Sequence, residues 1–281
     1  MPIHDQGYRR YGGDRSRTGT AWLVIAVAGI RMMLRRRLFL GLLLLAWAFV
    51  VVRAVQLYLA AMYPSSVGSY FAATAETFHD FLDQQSVFVF FITIYVGAGL
   101  IANDRRANAL QIYLSKPLTR TEYVVGKLAI LATFLLLVTW VPALLLLMLQ
   151  VMFAGNVTFL AHHIFVIPSI TVFSFLMVLV ASFSMLALSS LSSSSRYVGI
   201  LYTGLVFFTE AMFGVLRFIT GGTRVSWISF PANLGQVGNV VFRLPPKYQT
   251  PWIVSLMMLL ALIAASMLIL ERRVRGVEVV T

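Results

Sequence analysis

Six apolar runs dictate what this chain can become. They fall at 38–61, 86–102, 123–149, 164–189, 197–218 and 251–270. Each approaches or exceeds the ~20 residues that a helix needs to cross a bilayer. In lipid every backbone polar group has to be satisfied within the protein, so runs of this length are helices. Of the 281 residues, 59% are hydrophobic and 11% charged, against roughly 25% charged in a soluble domain. The expected fold is therefore an all-α integral membrane protein built as a six-helix transmembrane bundle. The connections are short apart from 219–250, which leaves no room for a large soluble domain, and no internal repeat is visible. The absence of cysteine excludes disulfides, thiol nucleophiles and thiolate metal sites.

A net charge of +12 would suggest nucleic acid in a soluble protein, but here the basic residues flank the spans. Eight Lys or Arg precede the first span, five lie from the end of the second to the first turns of the third (Arg105, Arg106, Lys116, Arg120 and Lys127), one between the fourth and fifth, and three after the sixth. The opposite side holds four, Arg217, Arg224, Arg243 and Lys247, three of them in 219–250. Residues 62–85 contain no Lys or Arg, only Glu76, Asp80 and Asp83. Lys and Arg concentrate on the cytoplasmic side of membrane proteins. The expected arrangement is a multi-pass protein of the cell (inner) membrane with both termini cytoplasmic, membrane lipids as partners and no nucleic acid.

The flanking segments follow. Residues 1–19 read as a flexible basic N-terminus and 271–281 as a cytoplasmic tail, bracketing a transmembrane domain at 38–270. Residues 20–37 begin with a capping Thr20, continue apolar from Trp22 to Ile30 and end basic from Arg31 to Arg37. A short apolar stretch with a basic end suits an amphipathic helix lying in the membrane interface. Its ten-residue apolar run Ala21–Ile30 ends in basic residues with no small-residue cleavage site behind it, so no cleavable leader is expected. Residues 219–250 contain Gly221–Gly222, Pro231, Pro245 and Pro246 around two short apolar runs. They read as short re-entrant or interfacial helices before the last span, because irregular backbone at membrane depth must be shielded by protein.

The stretch 97–127, GAGLIANDRRANALQIYLSKPLTRTEYVVGK, carries the functional signal. After the second span ends, Asn103 and Asp104 can cap a new helix. Arg106 through Leu114 would continue it with Ala107, Leu110 and Leu114 on one face and Tyr113 beside them. Pro117 stops it. Thr119-Arg120-Thr121-Glu122 is a capping box that opens the third span. The result is a short, basic, amphipathic helix braced between two spans, with an apolar ridge in need of a partner.

This pattern resembles the permease subunits of type-2 ABC exporters. Gly97, Asp104, Arg105, Leu110, Leu114, Ser115, Lys116, Pro117, Arg120, Glu122, Gly126 and Lys127 carry the likeness. The six-span layout and the segments at 20–37 and 219–250 extend it. The resemblance implies that 103–121 holds a coupling helix, docked in a groove of a separate ATPase subunit and driven by its closure. Asp104, Lys116 and Pro117 would belong to this element, with Leu110, Tyr113 and Leu114 as buried anchors and Arg105, Arg106 and Arg120 as the charged rim. No phosphate-binding G-x-x-x-x-G-K-[ST] motif is present, so ATP and Mg are expected in the partner and no cofactor in this chain. The family works with two permeases and two ATPases, so a second copy of this chain is the implied partner in the membrane. A basic loop contacting anionic lipid is the plainer alternative for the same residues.

Two ionisable residues fall deep inside spans, Arg53 and Glu210, whereas Lys127 and Arg217 lie within about a turn of a span end. Intramembrane charge is costly and by default marks function or pairing. Both sit roughly 20 Å from the basic end at 1.5 Å per residue. In the related exporters the first span of one protomer packs near the fifth of the other, so an Arg53–Glu210 pair across or near the dimer interface is one expectation, with a role as an outer gate. The alternative is that Arg53 snorkels outward and Glu210 is neutral or pairs with Arg217. Glu76, His79, Asp80 and Asp83 share a helix face. That spacing permits a weak metal site but reads more simply as a solvated face, so no metal is expected. Catalytic pairs at membrane depth are missing from the pattern, which disfavours an intramembrane protease or transferase. An exporter of lipid, glycan, peptide or drug is the leading expectation. A non-transporting component that relays ATP-driven work to outer-surface proteins would share the scaffold.

Overall fold

The computed structural model describes residues 20–63, 74–108, 119–154 and 163–274, and its elements are helical. Helix α1 spans Ala21–Leu34 and α2 Arg37–Met62. Helix α3, Ala75–Ile92, continues through a π-helical segment at Thr93–Gly97 and a turn into the short α4, Ala102–Arg106. Then follow α5 (Arg120–Val138), α6 (Trp140–Ala154), α7 (Val166–Leu191), α8 (Ser195–Thr220), α9 (Phe230–Val241) and α10 (Trp252–Arg273). Among the described residues six helical stretches are long and apolar enough to cross a membrane: α2, α3 through α4, α5 with α6, α7, α8 and α10. The chain is a multi-pass membrane protein.

Span α7 forms the centre. Two thirds of its apolar window (67%) is buried, against 22% for α2, α8 and α10, which leaves those three to face lipid or another chain. The core around α7 includes Phe173, Met177, Met185 and Leu186, packed with Phe39, Phe134, Ile92 and Leu131 from its neighbours.

One span edge differs clearly from the pattern read in sequence, and one span is interrupted. The second span begins at Ala75 rather than 86. Phe78, Phe81, Leu82, Gln85 and Phe88 put one face inward, while Glu76, Asp80 and Asp83 on the exposed face lower the local hydropathy. A capping box between Thr74 and Thr77 sets the start. The third span breaks at Thr139, between α5 and α6, because Pro142 has no N–H to return to the carbonyl of Val138. Pro168 lies in the first turn of α7, where a missing N–H costs little, so it does not interrupt that helix.

Helix α1 is too short to cross and lies along α5. Thr20 occupies its N-cap position, with the carbonyl accepting the N–H of Leu23 at 3.1 Å. Two glycines allow the close approach of α1 and α5. A Cβ on Gly126 would stand 3.0 Å from the carbonyl oxygen of Trp22 and 2.9 Å from Cβ of Ile25, and one on Gly29 would collide with Ile130. At the far end, Gly221 terminates α8 in the left-handed region at φ 65°. A single turn at Ser226–Ile228 and the twelve-residue α9 follow, neither able to span. Their irregular backbone is met by side chains. Gln236 donates to the carbonyls of Tyr248 and Thr250 and accepts from the Tyr248 N–H, while Ser226 and Thr250 bond each other and the latter reaches back to Thr223 and Arg224.

Gly126→Val should force α1 off α5 and cost about 1–3 kcal/mol by overpacking. Gly41→Ala, where nothing lies within 4 Å of the new Cβ, should not destabilise. Thermal unfolding of the two variants in detergent checks the contrast.

Candidate functional site

The site lies at the basic end of the bundle, where the second span breaks. In an uninterrupted helix the N–H of Ala102 would bond the carbonyl of Ala98. Here the hydroxyl of Ser189, from the end of α7, stands between them. It donates to the Ala98 carbonyl at 2.9 Å and accepts from the N–H groups of Ala102 at 3.0 Å and Ile101 at 3.1 Å. Ser189 is fully buried. Above the break, Gly97 passes so close to Met185 of α7 that a Cβ would stand 2.4 Å from its side chain. A side chain inserted into the main-chain ladder is one of the few physical causes of a sharp helix break.

Below the break, α4 forms a stub fastened on two sides. Lys127 Nζ lies 2.7 Å from Asp104 Oδ2, and the Tyr123 hydroxyl donates to the same oxygen at 2.7 Å. The Lys127 and Asp104 side chains are 12% and 18% exposed, so the pair is largely shielded from water. The Lys127 ammonium also lies over the Tyr123 ring, 5.4 Å from its centroid. These contacts bind the stub to α5. On the other side Arg105 Nη1 donates to the carbonyl of Ser190, binding it to α7. The Thr119–Glu122 capping box forms as its sequence suggests, with Thr119 N–H to Glu122 at 2.9 Å and Glu122 N–H to Thr119 at 3.2 Å.

The expected capping by Asn103 and Asp104 does not occur. The first N–H groups of α4 are taken by Ser189, and Asp104 turns to Lys127 and Tyr123, a stronger, charge-assisted partnership. Nor does one helix run unbroken from Arg106: α4 ends there, and Asn108 adopts φ 50°, a left-handed conformation that Asn tolerates. Arg106 and Arg120 are exposed on either side of the stub. Leu110, Tyr113, Leu114, Lys116 and Pro117 lie outside the described residues. Ser189 was the residue missed in sequence. The signal available was the serine-rich run 189–195 at the end of a long apolar span, which reads as a polar turn.

Beside the stub, a cavity of about 1290 Å³ opens between α1, the end of the second span and α8. Its walls include Val24, Ile94, Val96 and Ile200, and Arg36 and Arg196 add positive charge.

The other candidates lie toward the far end. Within one chain Arg53 and Glu210 have separate partners. Arg53 donates to Gln84 at 3.3 Å and Gln56 at 3.2 Å, and Glu210 accepts from the Ser229 hydroxyl. Burial, followed by the Glu210 and Asp83 carboxylates, holds the Tyr248 phenol above its ordinary pKa. His79 is buried against Phe173 and Phe242, whereas Glu76, Asp80 and Asp83 are exposed, so the four do not form one solvated face. Among the described residues no group of three or more His, Asp or Glu is placed to hold a metal ion.

Six spans packed around a doubly fastened stub define the class as an all-α membrane bundle. The model of the ABC-2 family transporter proteins matches residues 23–224, well over half of the chain, and the chain belongs to that family. No individual curated protein matches it.

Removing one member of a shielded ion pair strands the other. Asp104→Asn should therefore cost about 3 kcal/mol by leaving the Lys127 charge uncompensated. Adding Lys127→Met should restore most of that loss. Chemical denaturation of the single and double variants measures both.

Proposed function

We propose that the chain is the permease subunit of an ABC exporter. Two copies form the pathway, and each is driven through residues 103–121 by an ATPase subunit on a separate chain that binds ATP and Mg. In this reading the basic end faces the cytoplasm and both termini lie there, as the distribution of Lys and Arg favours. The work of transport belongs to this chain and hydrolysis to its partner.

The observation that carries the reading is the fastening of the stub to α5 and α7 at once. A docked element passes on force only if it is held against the bundle, and Asp104 and Arg105 hold it to different spans. Arg106 and Arg120 are exposed and would form the charged rim, with Leu110, Tyr113 and Leu114 of the sequence motif as the proposed anchors. The apolar walls of the adjacent cavity, together with Arg36 and Arg196, suit a hydrophobic or amphiphilic substrate with an anionic group.

Arg53 and Glu210 lie on two of the least buried spans. Each is held by neutral partners within its own protomer, which leaves a charge pair to the second copy as the proposed use of both.

Co-expression with the cognate ATPase should yield a stable complex. Its ATP hydrolysis should rise with the transported compound when lipids, peptides and hydrophobic drugs are each added. Leu110→Asp with Leu114→Asp should abolish ATP-driven transport in vesicles, at least tenfold, while membrane insertion is kept. Unchanged transport in that double variant would refute the assignment.

A further inference from the structure

The break at Ala98–Ile101 has a property that a rigid strut would not need. We infer that it is a hinge, and that Ser189 is its positioning residue, passing displacement of the stub to α7. The inference deepens the proposed function and rests on it.

The geometry is specific. The hydroxyl bridges the carbonyl of Ala98 and the N–H of Ala102, the pair an unbroken helix would join, and takes the N–H of Ile101 as well. The second span therefore has two hydrogen-bonded forms. In the bent form the three polar groups at the break are satisfied by Ser189. In the straight form Ala98 and Ala102 bond directly and the hydroxyl turns back to its own helix. Ser184 on α7 already bonds in that manner, to the carbonyl of Val180. The Ile101 N–H, released by Ser189, takes the Gly97 carbonyl that Leu100 now occupies, as α-helical winding requires, so neither form strands the groups that Ser189 serves and the difference between the forms stays small. Just before the break, the π-helical segment Thr93–Gly97 supplies slack in the winding, since its wider turns can tighten as the break closes. The stub below is tied to α7 twice, through Ser189 and through Arg105 to Ser190. Movement of the stub thus draws α7 with it while the upper part of the second span stays behind.

The test uses the complete complex with its ATPase. Ser189→Ala removes the inserted hydroxyl, Ser189→Thr keeps it, and Ser184→Ala is the control for losing a buried hydroxyl that bonds only within α7. The expected result is that Ser189→Ala hydrolyses ATP at the parental rate but transports at least fivefold less per ATP. Ser189→Thr should recover the ratio, and Ser184→Ala should keep it. The chain has no cysteine, so introduced pairs are the labelling sites within it, and the chain is labelled before assembly with its ATPase. In complexes with one labelled copy, spin labels at Ala107→Cys and Val87→Cys should change separation between the nucleotide-free and ATP-bound states. Labels at Ala107→Cys and Leu191→Cys should keep theirs, and lose that constancy in Ser189→Ala. A parental transport ratio in Ser189→Ala, or a fixed Ala107–Val87 separation, overturns the hinge. The reading it rests on fails separately, by absence of a complex with any ATPase.

Discussion

A helix that breaks inside a membrane has no water to repair it. Each exposed N–H or carbonyl costs several kcal/mol there unless the protein supplies a partner. At Ala98–Ala102 that partner is a hydroxyl from another span, and much else at the basic end follows from it. The interruption separates α4 from α3 along the second span, and α4 is held instead against α5 and α7. It also commits α7, the most buried span, to the neighbourhood of the break. Close passage of Gly97 against Met185 is the steric side of the same arrangement.

The ion pair one turn below obeys a different economy. Asp104 and Lys127 are too shielded to count as a surface pair, and such pairs add little net stability compared with well-packed apolar residues. Their value is directional. A carboxylate oxygen shared by an ammonium and a phenol fixes where the stub sits relative to α5, to within hydrogen-bonding distance. Leucines in the same positions would grip without specifying an angle.

Long-range partnership separates what could be read in sequence from what could not. Length and hydropathy revealed the six spans, and local spacing revealed the Thr119–Glu122 box, since both depend on residues close in the chain. The motif from Asp104 to Lys127 was visible, though its chemistry was misassigned: Asp104 looks like a cap because caps are local, while its actual partners are nineteen and more residues away. Ser189 lies 91 residues from Ala98 and inside a run of serines, so no periodicity distinguishes it. The early start of the second span was hidden for another reason. Its amphipathic first turns average a buried aromatic face with an exposed acidic one, and a hydropathy window sees only the mean. Anchors beyond Asn108 belong to the same motif and lie outside the described residues.

The knot of side-chain bonds over the far end sets that region apart from the helices beneath it. Gln236, Thr250 and Ser226 hold residues 223–250 through contacts internal to the protein, whereas α2 and α8 present most of their surface outward. Solubilisation in detergent therefore acts unevenly. The crown is tied by bonds within the protein, so a change of amphiphile acts first on the outward-facing spans, whose surfaces it touches.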